Sequence, residues 1–350
     1  MSSPLLWCSL KPLVVFSNLP QFCTNTPLAL AIGMALRELK TSNAQTWFKA
    51  GYWFSGTKFP ISDINSALFI HHICAFADVN SSSYELSVSS TDEQCFSTFT
   101  KTIRQKNPSV TTLLSIAGGN ASHTTLAYMV SKETYRTSFI DSSIKIARLY
   151  GFQGLDLCWV LAHTFLNVKN MGLLFQEWRT AINSEAKNSN QKQLILTAAV
   201  QYSLDIDVNV SFPVDSIRNE LDWVHVLAYD YYMPKLSNYT GAHAALYDPS
   251  KQANNTDYGT GAWIGRGLSA SKLVLGLPFY GYALRLKNPN NNAIGALATG
   301  PAAISTDGGA MSYKNIKGYV HRVGAAIMYN ATYVVNYCIV DCLSMVMHGG

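Results

Sequence analysis

The sequence predicts an α/β fold, a TIM-type (β/α)8 barrel, and three observations predict it. Seven apolar runs are spaced along residues 50–279, helix-patterned stretches lie between them, and most of the runs are continuous rather than alternating. Continuous apolar strands are buried on both faces, the condition of a parallel sheet covered by helices. Strand–helix repetition implies right-handed crossovers within one sheet. Seven such units over this length suit a barrel better than an open sheet of two domains. The competing open doubly wound sheet usually carries a glycine-rich nucleotide turn after its first strand. Here Gly51 is followed by Tyr52, Trp53 and Phe54 instead.

In chain order, the predicted strands are Ala50–Phe54, Leu68–Ala77, Thr111–Ile116, Gly154–Val160, Leu194–Val200, Trp223–Tyr229 and Leu273–Phe279. The clearest helices are Glu93–Lys106, Lys132–Tyr150 and Met171–Lys187. The second of these ends Arg148-Leu149-Tyr150-Gly151, a cation in the last turn followed by a glycine stop. Barrel sites lie at the C-terminal ends of strands. That rule selects Ala77-Asp78, Gly118-Gly119, Asp156 to Val160, Tyr229-Asp230 and Tyr280 to Tyr282.

Composition narrows the function classes. With 48% apolar and 13% charged residues among 350, the chain is not disordered. The net charge of +5 is scattered without a Lys/Arg stripe, so nucleic acid is not an expected partner. No uncharged apolar stretch reaches about 18 residues, so no membrane-spanning helix is expected. Seven cysteines, odd in number and widely spaced, fit neither a disulfide framework nor a zinc module, and no metal or cofactor is expected. The chain is expected to be a monomer.

Residues 1–48 read as a leader or unstructured segment. Pro27 to Leu36 is long enough for a signal-peptide core, but it sits late, with Lys11 the one basic residue before it. Six Asn-x-Ser/Thr sequons, at Asn80, Asn120, Asn209, Asn238, Asn254 and Asn330, are glycosylation candidates and point to a secreted or vacuolar protein.

In the fourth strand, alternation sends Leu155, Leu157 and Trp159 one way, and Gly154, Asp156, Cys158 and Val160 into the barrel. An inward carboxylate at Asp156 is costly unless hydrogen-bonded or protonated. Six segments now stand in order: Gly51 to Phe54, Phe76-Ala77-Asp78, Leu114 to Gly119, Gly154 to Leu157, Leu227 to Asp230, and Gly276 to Tyr282. With these the sequence resembles glycoside hydrolase family 18, most closely the plant class V chitinases, from about Gly51 to at least Asn330.

The resemblance implies a barrel over residues 49–285, a small α+β insertion over 286–340 after strand seven, and a divergent tail over 341–350. It implies chitin or N-acetylglucosamine oligosaccharide as partner. It also places the family's fourth-strand motif, D-G-x-D-x-D-x-E, so that its acidic positions fall on Gln153, Asp156, Cys158 and Val160; one of the four is acidic here. Members of the family use the substrate's acetamido oxygen as nucleophile. The final Glu protonates the leaving oxygen, and the Asp before it orients the acetamide. Val160 has no proton to give, and Cys158 carries no charge as a thiol. By the same resemblance, Tyr52 and Ser115 support Asp156, Tyr229 bonds the acetamido group, and Asp230 holds the sugar. Phe76, Tyr232 and Tyr282 complete the substrate-binding set.

Two departures weaken the match. Leu284 stands where the family has a stacking Trp, and the eighth strand has no counterpart. A barrel missing that strand exposes two edges, which residues 1–48 or Leu343–Met347 would have to cover. The expected function is therefore a catalytically impaired chitinase-like protein binding chitin oligosaccharides. An active or residual chitinase and a decayed copy are the alternatives. A Cys158–His225 pair, or an acid supplied by Glu177, Asp205 or Asp207, are the places to look for substitute chemistry. Glu177 is expected on a solvated outer helix face.

Overall fold

The computed structural model describes residues 13–17, 48–56, 59–250, 253–305, 307–340 and 343–348. Contacts divide them into two compact units. One holds residues 48–227 and 262–276 with Leu13–Ser17, and the other holds 228–261 and 277–348.

Seven parallel strands build the first unit: β2 (Phe48–Phe54), β3 (His71–Val79), β4 (Thr111–Ala117), β5 (Gly154–Cys158), β6 (Ile195–Gln201), β7 (Trp223–Leu227) and β8 (Leu273–Pro278). They follow one another in sequence order around a nearly closed barrel. The barrel expectation holds, because each strand is an apolar run buried on both faces. One seam interrupts the parallel succession, between β8 and β2. There β1 (Leu13–Ser17) stands in the strand order, antiparallel to β2, with Leu13 beside Tyr52. The rest of the expected leader lies outside the described residues.

Two predicted strand ends shift. β3 starts at His71, because Ser66–Leu68 closes a 3-10 turn with the Phe69 N–H on the Ser66 carbonyl. β5 stops at Cys158, leaving Trp159 and Val160 beyond its last ladder pair, Ala117 with Cys158.

The three predicted helices are present as α1 (Ser90–Lys106), α3 (Glu133–Leu149) and α4 (Phe165–Ser189). A capping box of Ser89 and Asp92 starts α1, which buries Phe96, Phe99 and Ile103 at helical spacing. Glu177 on α4 is not simply solvated as expected. It receives Arg136 of α3 in a two-pronged pair, Nε to Oε2 at 2.7 Å and Nη2 to Oε1 at 2.6 Å, while Arg136 also donates to the Val130 carbonyl. The pair clasps two adjacent barrel helices and does not supply an acid. Shorter helices α2 (His123–Ser131), α5 (Val214–Glu220) and α6 (Thr256–Gly265) complete the set up to β8.

The second unit contains a six-stranded sheet. β9 (Tyr280–Leu286) lies between β10 (Ala298–Pro301) and β14 (Leu343–His348). Beyond β14 come β13 (Val335–Val340) and β12 (Met328–Asn330), and β11 (Ala310–Ser312) also pairs with β9. Leu343–Met347 therefore does not close the barrel seam. It is antiparallel to both β9 and β13. Its alternation explains the placement: Met345 and Met347 join the cluster under helix α7 (Tyr313–Val323), while Val346 joins Ala242, Ala245 and Val335 on the opposite face. No helix among the described residues is long and apolar enough to cross a membrane.

Candidate functional site

Asp156 is fully buried in the middle of β5, and three hydroxyls hold it. Tyr52 and Ser115 donate to Oδ2 at 2.9 and 2.6 Å, and Thr197 donates to Oδ1 at 2.7 Å. They come from β2, β4 and β6, so alternation on three alternate strands of the barrel turns all of them inward toward one carboxylate. Three hydrogen bonds to its oxygens offset the cost of burying the carboxyl group. Tyr52 and Ser115 were legible from sequence. Thr197 was missed, although it is the one hydroxyl in the apolar run Leu194–Val200.

His225 of β7 lies on the other side of Asp156, Nε2 to Oδ1 at 3.7 Å, too far for a hydrogen bond. Its Nε2 accepts from the Trp223 indole at 3.1 Å. Burial pushes the imidazole below its ordinary value, against the opposing pull of Asp156. The ring is neutral, with its ordered contacts to Trp223, Asp156 and Tyr52. Those contacts give it a packing role inside the barrel.

Cys158 is buried at the end of β5, and its carbonyl accepts from the Gly118 N–H at 3.0 Å. Val160, half-buried, follows two residues later, and its carbonyl accepts from the Gln201 amide at 3.1 Å. Gln153 is separated from this group. It precedes the N-terminal end of β5, opposite the catalytic face of a barrel, and its side-chain oxygen accepts from the Thr112 backbone N–H at 2.8 Å. Phe76 is half-buried against Phe54, with ring centroids 6.0 Å apart. Gly118, at φ +79°, leaves the space it occupies: a Cβ there would lie 2.6 Å from the Phe76 ring.

Asp230 and its neighbours form a second polar cluster, within the other unit. Tyr280 and Tyr282 both donate to Asp230 Oδ1, at 2.7 and 2.8 Å. Tyr229 is buried with its ring edge-on to Tyr280. Tyr232 is drawn elsewhere. Its hydroxyl donates to Asp248 at 3.3 Å, and burial, with the Asp248 charge next, pushes the phenol up. Leu284 is buried within β9.

Among the other candidates, Asp205 and Asp207 sit on an exposed two-stranded ribbon, and Asp205 accepts from Ser211. The sequon residues Asn80, Asn120, Asn209 and Asn238 are exposed, while Asn254 and Asn330 are half-buried. No group of three His, Cys, Asp or Glu side chains suited to a metal ion occurs among the described residues.

Replacing Thr197 with Val is expected to lower stability by about 1–3 kcal/mol, because it removes the one hydroxyl bonded to a buried carboxylate oxygen without changing side-chain shape. Urea unfolding checks this; an unchanged midpoint would show that Oδ1 does not depend on Thr197.

The (β/α) barrel with a hydroxyl-bound carboxylate inside its fourth parallel strand agrees with what comparison with known proteins shows. Residues 49–346 match the family of glycosyl hydrolases family 18, and the chain belongs to that family. It is 49% identical over 300 residues to a class V chitinase from Arabidopsis thaliana, covering 86% of this chain and 78% of that protein. Among solved structures, it matches a mutant class V chitinase from Nicotiana tobaccum in complex with NAG4. The TM-score is 0.82 at 44% identity, over 86% of each chain. It also matches a chitinase-like agglutinin from Robinia pseudoacacia, with a TM-score of 0.78 at 39% identity, over 86% of this chain and 87% of that one.

Proposed function

We propose that this chain is a catalytically impaired chitinase-like protein that binds chitin or N-acetylglucosamine oligosaccharides without cleaving them at a useful rate. One observation carries the reading. Val160 stands two residues past the end of β5, after the anchored Asp156, and it has no ionisable group. Cys158 adds no charge between them. Loss of a general acid costs roughly 10²–10⁴-fold in rate, and loss of a charge that stabilises the cationic intermediate costs on the order of 10²-fold more. The chitinase-like agglutinin among the similar structures supports binding as a use of this fold, and the NAG4 complex supports the ligand class. A monomeric, secreted or vacuolar, glycosylated protein fits this reading.

The 49% identity to a class V chitinase favours a second reading, a residual hydrolase. Two measurements separate them. Isothermal titration with (GlcNAc)4 is expected to give saturable heat. A reducing-end assay on the same oligomer is expected to give turnover at least about 10⁴-fold below that of an active class V enzyme. Turnover within tenfold of such an enzyme would overturn the impaired reading, and heat no different from buffer would remove the binding reading.

A further inference from the structure

His243 has no assigned role, and its surroundings are unusual. The side chain is 1% exposed, and neither ring nitrogen has a hydrogen-bond partner among the described residues. Its Nδ1 lies 3.7 Å from Asp230 Oδ1. The ring sits beside Tyr280 and Tyr282, with centroids 5.5 and 5.0 Å away. A buried polar group without a partner costs free energy, so a second arrangement that satisfies it is favoured once it is within reach.

The mount is firm. Ala242, Ala244 and Ala245 are buried around His243, and the Tyr231 N–H donates to its carbonyl at 3.0 Å. Asp230, directly before Tyr231, has φ +64°, a left-handed conformation that its surroundings must hold in place. Its two oxygens are used differently. Oδ1 takes both tyrosine hydroxyls. Oδ2 takes neither of these hydroxyls, in a side chain 9% exposed.

We infer that His243 is a positioning residue for ligand recognition by Asp230. Its Nδ1–H is the third donor to Oδ1, closing from 3.7 Å by a small ring rotation when a sugar hydroxyl donates to Oδ2. An imidazole that faces a carboxylate oxygen through Nδ1 has a proton there to donate. Three donors on one oxygen fix the carboxylate plane and leave Oδ2 as the acceptor for the ligand. Tyrosines at 280 and 282 alone leave rotation about the Asp230 side chain open on the third side.

The affinity arm of the test rests on the proposed sugar-binding reading; the spectroscopic arm does not. In titrations with (GlcNAc)4, His243→Leu is expected to weaken binding about tenfold. His243→Asn, whose amide N–H reaches from the same backbone position, is expected to stay within about threefold of the starting protein. Both variants are to be compared at matched thermal midpoints. In an Asp230→Asn background, His243→Leu is expected to add little. Equal losses for the Leu and Asn variants, or an undiminished tenfold loss without the Asp230 carboxylate, would overturn the inference. Nitrogen-15 NMR of the histidines, without ligand, is expected to show the Nδ1–H tautomer for His243 and a shift of that resonance in Asp230→Asn. An Nε2–H tautomer would overturn it even if no sugar binds, whereas absent sugar heat with the expected tautomer would count against the binding reading alone.

Discussion

Introducing Cys158→Asp and Val160→Glu together is expected to raise hydrolysis of chitin oligosaccharides by at least about 10³-fold over the starting protein. The barrel already supplies the parts around the reacting group. Asp156 is held by Tyr52, Ser115 and Thr197, and the chain has the family's fold. On the proposed reading, what it lacks is a proton donor and the charge beside it. Position 160 is half-buried just beyond β5, where a carboxylic acid retains some solvent and an adjustable protonation state. Position 158 is almost fully buried, two residues from Asp156 on the same strand face. A carboxylate placed there shares a site with Asp156, and like charges at such range raise one of the two pKa values. The pair then titrates as a unit, and the rate should fall at both ends of its pH profile.

Each single change is expected to recover far less than the double, because residues acting as one catalytic unit are strongly non-additive. Val160→Glu alone has an acid but nothing to orient the acetamide. Cys158→Asp alone has no acid. The assay is reducing-end release from (GlcNAc)4 for all four proteins, alongside far-UV circular dichroism. A folded double variant with no gain would show that the loss of activity has a further cause beyond positions 158 and 160.

How far the sequence could be read depended on which physical signal each residue left. β2 to β8 were legible because strands buried on both faces leave continuous apolar runs. The three long helices were legible from periodicity and, in α3, from Gly151 at its end. The short helices α2, α5 and α6 were not, since 7–10 residues leave too few turns to establish a period. The tail Leu343–His348 was read as divergent because its partners, Tyr280–Leu286 and Val335–Val340, are set by pairing over distances that no local pattern reports. At the site, Asp156 was found because an inward acid on an apolar strand is conspicuous. His243 was missed because it lies in an irregular stretch, where alternation assigns no face. Glu177 was misjudged for a related reason: a helix pattern shows which face is polar, but not that Arg136 of the neighbouring helix reaches across to it.

Acid is expected to destabilise the barrel steeply between pH 6.5 and 4, through three histidines of β3 and β7. Burial first, then the nearby His225 and His72, pushes His71 down to about 4. Burial pushes His72 down to about 4 as well, against a backbone hydrogen bond at Gly51 that pulls the other way. His225 is lowered in the same direction. Packing explains why. His71 stacks on Phe48 at 4.4 Å and meets the Trp223 ring edge at 5.0 Å. His71 Nδ1, His72 Nε2 and His225 Nδ1 are buried without hydrogen-bond partners among the described residues, so a proton added there meets no acceptor among them. In the unfolded chain each imidazole protonates near 6.5. Between that value and about 4 the unfolded state binds more protons, so the stabilisation is fully present above pH 6.5 and is lost as pH falls. At about 1.4 kcal/mol per pH unit, His71 and His72 each contribute roughly 3 kcal/mol over this window, a large share of a typical folding free energy. Urea titrations at pH 7.0 and 4.5 measure the loss. His71→Phe keeps an aromatic ring between Phe48 and Trp223 without a titrating group, and it is expected to flatten the dependence by about one histidine's share. A midpoint equally sensitive to pH in that variant would assign the acid response to carboxylates instead.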